Sequence, residues 1–216
     1  MKSVLVIGIG RFGLHTSQKF AELGNDVMAI DTDEERIREI LPHVLNAQIG
    51  DCTQEEVINS LGVRNFDVCV VAITDLGTSL EITYLLKEYG APFILSRANS
   101  EMHAKILLRA GADEITYPEK QMAERIAVKH TANNLFDFFE ISPEYSMSEL
   151  STPADWIGKT VEAVNVRTKH HINILAYKTN NGAVNTVGAD YTFNENEHLF
   201  VFGKSEDIIK FANKVL

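Results

Sequence analysis

Val4-Leu5-Val6-Ile7-Gly8-Ile9-Gly10-Arg11-Phe12-Gly13 is the stretch that decides the fold. Its four consecutive apolar residues read as a strand buried on both faces. The glycines then follow with the spacing G-x-G-x-x-G, and the reasons for glycine are steric. Gly8 permits a tight turn, Gly10 leaves room for a pyrophosphate against bare backbone, and Gly13 lets the next helix pack closely. That helix, expected over 13–23, offers phosphate its unpartnered N–H groups and a partial positive charge. The pattern alone is common, and its context gives it weight. About 20 residues on, Asp31 ends the next strand, Val27 to Ile30, where a carboxylate accepts bonds from ribose hydroxyls. Asp31 would repel a 2′-phosphate, which disfavours NADP-type ligands.

Working outward, strand and helix keep alternating. A charged helix (33–41), a strand (44–49), a helix (54–61) and the apolar run Val68 to Ile73 come next. A helix over 79–89, a strand over 93–95, a helix capped by Ser100 and ended by Gly111, and a strand over 114–117 follow. Six parallel strands with crossover helices make a Rossmann-like doubly wound α/β sheet. Pro118 opens a helical pattern through Asn133, and Asn134 to Glu140 adds an apolar helix end with three phenylalanines. These pack either on their own domain or on another subunit. From Pro143 the character changes: strand-like stretches (172–177, 199–202) alternate with turn signals such as Asn180-Asn181-Gly182. A short helix over 158–164 and a terminal helix over 205–215 complete a small α+β domain. The expected domains are 1–140 and 141–216, the second small enough to be steadied by dimerising.

Hydrophobic residues make up 45% and charged residues 23%, enough apolar side chain for a core. The net charge of -10 repels phosphate backbones and anionic lipid, so no nucleic-acid partner is expected. No apolar run approaches the ~18 residues of a membrane span, and the N-terminus enters a strand at once. A soluble cytoplasmic protein is expected, with any membrane role exercised through a partner. Cys52 and Cys69 lack metal-ligand spacing and suit a reducing compartment.

Asp51 follows Gly50 on the rim where such sheets take ligands. It can accept from an adenine amino group, or cap a helix together with Thr53. Arg11, inside the phosphate loop, suits a chain of phosphates or is an ordinary surface arginine. The histidines are scattered: His15 and His103 in helix patterns, His43 in a turn, His170-His171 in the small domain. No H-E-x-x-H, G-x-S-x-G or Walker pattern occurs. An NAD-dependent oxidoreductase with a small substrate domain is therefore the alternative to a regulatory nucleotide binder, and it lacks an evident proton-transfer residue.

Essentially the full length resembles the RCK (or KTN) regulatory subunits of bacterial potassium transport, of the TrkA/KtrA kind. The resemblance rests on Gly8 to Gly13, Asp31, Gly50-Asp51-Cys52-Thr53, Val70-Val71-Ala72-Ile73, Arg97-Ala98-Asn99, and Gly111-Ala112-Asp113 leading to Pro118-Glu119. The tail from Trp156 resembles the small C-terminal ligand-binding domain of that family. The resemblance implies a non-enzymatic gating subunit that binds ATP, ADP or NAD(H). It puts Gly8, Gly10, Arg11, Phe12, Gly13, Asp31, Asp51, Cys52, Thr53, Ile73, Thr74, Arg97 and Glu119 around the nucleotide. It also implies a Mg²⁺ or Ca²⁺ ion at Glu119, and homodimers assembling into an octameric or tetrameric ring beneath a membrane-embedded K+ transporter subunit of the TrkH/KtrB kind. Arg167, Asn173 and Ile174 resemble a cyclic dinucleotide site in the small domain.

Overall fold

Six strands and their helices follow one another in chain order: β1 (Ser3–Ile7), α1 (Arg11–Glu22), β2 (Asp26–Asp31), α2 (Glu34–Ile40), β3 (Asn46–Ile49), α3 (Glu55–Leu61), β4 (Val68–Val71), α4 (Leu76–Glu88), β5 (Ile94–Arg97), α5 (Glu101–Ala110), β6 (Glu114–Thr116) and α6 (Pro118–Thr131). The computed structural model describes residues 1–131 and 134–214. The expected helical extensions to Asn133 and Val215 lie outside them. All pairings in the first sheet are parallel, in the order β3-β2-β1-β4-β5-β6. The sheet therefore grows in opposite directions from β1 and β4, and the crevice past their C-terminal ends is where a doubly wound sheet takes its ligand.

The central strands are buried on both faces, as their unbroken apolar runs require. Leu5, Ile7, Cys69 and Val71 pack with Ile58, Ile82, Leu86 and Leu107 on one side. Val4, Val6 and Val70 pack with Ile37 and Ile40 on the other. Helix ends follow local chemistry. The Ser100 hydroxyl accepts from His103 N–H at 3.1 Å to open α5, and Gly111 closes it at φ 116°. The start of α4 lies at Leu76, three residues ahead of the expected 79, because the Asp75 carboxylate accepts from Thr78 N–H at 2.9 Å and caps the helix there.

The second unit holds β7 (Leu135–Glu140), β8 (Tyr145–Ser151), α7 (Val161–Val164), α8 (Val166–His170), β9 (Ile172–Lys178), β10 (Val184–Thr186), β11 (His198–Lys204) and α9 (Ser205–Lys214). Its antiparallel sheet has the order β10-β9-β11-β8-β7. Trp156, Phe193, Leu199, Ile208 and Phe211 fill its core.

Two expectations need correcting here. The apolar helix end at 134–140 is the edge strand β7, in which Leu135 and Phe138 face the core while Phe136 and Phe139 remain exposed. A register shift between Leu135 and Asp137 breaks the strict alternation and disguises the strand. The helix expected over 158–164 is α7 alone, starting at Val161. Asn165, at φ 55°, ends it before α8 begins. The chain divides into two compact units, Met1–Glu119 and Lys120–Leu216, the second including β7, which pairs with β8. None of the helices among the described residues is long and apolar enough to cross a membrane.

Candidate functional site

The turn from β1 into α1 is built around two glycines. Gly8 sits at φ +90°, a conformation that L side chains rarely adopt, and a Cβ there would meet Ile73 Cγ1 at 2.7 Å. A Cβ on Gly13 would stand 1.9 Å from the Gly8 carbonyl oxygen, so α1 lies against the turn at a distance that admits only hydrogen. Gly10 differs: it is the N-cap of α1, no side chain caps the helix there, no acidic residue stands in its first turn, and nothing lies within 4 Å of where its Cβ would be. The helix end is thus open and positive, as an anion requires.

A cavity of about 930 Å³ opens beside this turn. Of the residues expected at the site, Gly8, Gly10, Arg11, Phe12, Asp31, Asp51, Cys52, Ile73, Thr74, Arg97 and Glu119 all line it. Gly13 shapes the turn from beneath. Thr53 is outside the lining and acts through Asp51, whose Oδ1 accepts from its N–H at 3.0 Å and its hydroxyl at 2.8 Å. These bonds hold the Asp51 carboxyl below its usual range. The alternative role of Asp51 as helix cap is not taken up, since Gln54 is the N-cap of α3.

Asp31 is nearly buried, at 7% exposure. Its Oδ2 accepts from Ile9 N–H at 2.5 Å and from Arg36 Nη1 at 3.4 Å, and its Oδ1 accepts from Asp33 N–H at 2.9 Å. The carboxylate thereby ties the glycine turn to the end of β2 and holds its own orientation toward the cavity. Arg97 pairs with Glu119 and lies over the Phe12 ring, with 5.5 Å from guanidinium carbon to ring centroid. Its Nε is buried without a partner, a donor that a ligand oxygen would satisfy. Arg11 is exposed on the rim and has no ion-pair partner among the described residues. Burial, with Asp51 and Asp31 nearby, pushes the Cys52 thiol up to about 12, so it stays protonated and inert at neutral pH.

His15, Thr32, Arg36 and Thr78 also line the cavity, and the sequence reading assigned none of them to the site. Two left signals there: Arg36 lies five residues past Asp31, one helical turn and a bend away, and Thr78 stands three past the capping Asp75. Among the described residues no three metal-ligating side chains gather, and Glu119 is held by Arg97. In the second unit, Asn173 lines a separate cavity of about 430 Å³ with Tyr145, His171, Phe202 and Lys204. Arg167, on α8, and Ile174, next to Asn173 on β9, are not among its lining.

Comparison with known proteins bears on all of this. The TrkA-N domain family matches residues 4–118 and the TrkA-C domain family residues 147–216. Ktr system potassium uptake protein C of Bacillus subtilis is 38% identical over 216 residues, covering 100% of this chain and 98% of that protein. The GsuK channel bound to NAD superposes with a TM-score of 0.68 at 14% identity, covering 98% of this chain and 39% of that one. The Kef C-terminal domain of Shewanella denitrificans, in an AMP-bound form, gives a TM-score of 0.53 at 25% identity over 60% of this chain and 79% of its own. With both domain families in order and a relative matched end to end, the chain belongs to the RCK family of regulatory subunits, a TrkA-N domain followed by a TrkA-C domain.

Proposed function

We propose that the chain senses an adenine nucleotide, ATP, ADP or NAD(H), in the TrkA-N cavity and regulates a membrane-embedded potassium uptake partner. The open helix end at Gly10, with the Asp31 carboxylate beside the same turn, carries this reading: the first suits phosphate and the second suits ribose. Names of relatives support it, since proteins similar over the whole chain are potassium uptake proteins, and structural neighbours are described as binding NAD or AMP.

The residues fit a bound nucleotide. Asp31 would accept from the ribose hydroxyls, while the N–H groups that begin α1, together with Arg11 and Arg97, would meet phosphate oxygens. A nucleotide that reaches Arg97 competes with Glu119 for its guanidinium. Glu119 set free could then bind Mg²⁺ or Ca²⁺, with phosphates or a second subunit's Glu119 completing the oxygen shell. A regulatory role is favoured over an oxidoreductase because relatives similar over the whole chain are potassium uptake proteins and the cavity's thiol is inert. The proposed assembly is a homodimer that builds an octameric or tetrameric ring, on the inner face of the membrane through its partner. A cyclic dinucleotide at Arg167, Asn173 and Ile174 belongs to the same proposal.

Calorimetry tests the binding, with ATP, ADP and NAD expected to bind and NADP to bind more weakly. NADP binding tightest of the four would overturn it. Gel filtration tests the assembly, where elution as a ring rather than as a dimer is expected.

A further inference from the structure

His103 is 2% exposed in α5, outside the cavity, yet both of its ring nitrogens lead to the cavity wall. Nε2 lies 2.8 Å from Ser79 Oγ, in the first turns of α4 and next to the cavity-lining Thr78. Nδ1 lies 3.1 Å from Asn99 Oδ1, and the Asn99 side-chain amide donates to the Thr74 carbonyl at 3.0 Å. Thr74 lines the cavity as well.

The Asn99 side-chain hydrogen bonds have a direction. A carbonyl only accepts, so Asn99 must present its NH₂ to Thr74 and its oxygen to His103. The Asn99 backbone N–H also points at Nδ1 at 3.4 Å, and the Ser79 hydroxyl donates to the Leu76 carbonyl at 3.2 Å, so the ring bridges the same two residues in either tautomer: Nδ1–H donating to Asn99 Oδ1, or Nε2–H donating to Ser79 Oγ. Burial pushes the His103 pKa down, against the pull of Asp75, and keeps the ring neutral near pH 7.

We propose that His103 is a positioning residue of the nucleotide site: through Asn99 it fixes the Thr74 carbonyl, and through Ser79 it fixes the turn that carries Thr78. This rests on the reading of the cavity as a nucleotide site. The segment it sets, 74–79, follows β4, whereas Asp31 ends β2, on the far side of β1 in the sheet. In a doubly wound sheet the ligand runs across the β1 and β4 ends. Its adenosine lies toward Asp31, and the part beyond the first phosphate lies toward Thr74 and Thr78.

The test compares AMP with ADP and NAD by calorimetry in the wild type, His103→Ala, His103→Asn and Asn99→Ala, with thermal unfolding followed alongside. AMP should bind His103→Ala and wild type alike. ADP and NAD should lose about tenfold in affinity, the scale of one misplaced hydrogen-bonding contact. His103→Asn, whose amide can still donate toward Asn99, should recover part of the loss. Asn99 is exposed, so Asn99→Ala folds even if the core histidine cannot be replaced, and it should give the same selective loss. Equal losses for AMP and the longer ligands, or no loss at all, overturn the proposal. A wild type that binds no adenine nucleotide overturns instead the reading beneath it.

Discussion

Asp31 does two things at once, and the structure separates them. One is internal, the bonds from Ile9 and Asp33 N–H that hold the glycine turn to β2. The other is the acceptor capacity it offers a ribose. Asp31→Ala should therefore weaken ATP, ADP and NAD together by about 1–3 kcal/mol, the cost of a lost charge-assisted hydrogen bond. It should also narrow the gap between NAD and NADP, because the repulsion of the 2′-phosphate goes with the carboxylate. Calorimetry on the four ligands reads both effects, and an unchanged NAD to NADP ratio would remove Asp31 from the specificity account. This residue was legible in the sequence because a fixed spacing ties it to the glycines. His103 was not, since a lone histidine in a helix pattern carries no mark of what its two nitrogens will reach.

Among elements, α1 and its turn hold two glycines with opposite demands. Gly13→Ala would drive a Cβ into the Gly8 carbonyl, so α1 must move off β1, and a clear drop in the unfolding temperature is expected. Gly10→Ala meets open space, so it should fold as well as the wild type and lose nucleotide affinity. Loss of stability in both, with affinity kept in Gly10→Ala, would deny that the space at Gly10 exists for a ligand. In the TrkA-C sheet, burial alone would raise the Glu149 pKa, but bonds from His198 Nδ1 at 2.7 Å and Lys178 Nζ at 3.0 Å bring it below 4.5. A carboxyl with a depressed folded pKa adds stability that is present above its unfolded value and lost as pH falls through the folded one. Unfolding curves should show this loss below about pH 4.5 in the wild type and a flatter acid limb in Glu149→Gln. The same sheet explains why the second half read poorly. In β8 the buried positions hold Ser146 and Ser148 beside Leu150, while Tyr145 stands exposed, so polar and apolar residues lie on the wrong faces for an alternation rule. The central parallel strands β1 and β4 carry no such inversion, and their apolar runs announced them.

At the scale of the whole molecule, a ligand can shift a conformational equilibrium only by its differential affinity for the two states. A regulatory subunit that distinguishes ATP from ADP must therefore have a group that meets the γ-phosphate in one state. Arg11 is exposed at the cavity rim, its fork can engage phosphate oxygens bidentately, and it has no ion-pair partner among the described residues. The most direct measurement is potassium flux into vesicles that hold the membrane partner, with this chain added under ATP or ADP. The account predicts that flux differs between the two nucleotides with the wild-type chain, and that Arg11→Ala abolishes the difference while ADP still binds. Flux that ignores the nucleotide in the wild type, with the chain bound to its partner, would contradict it.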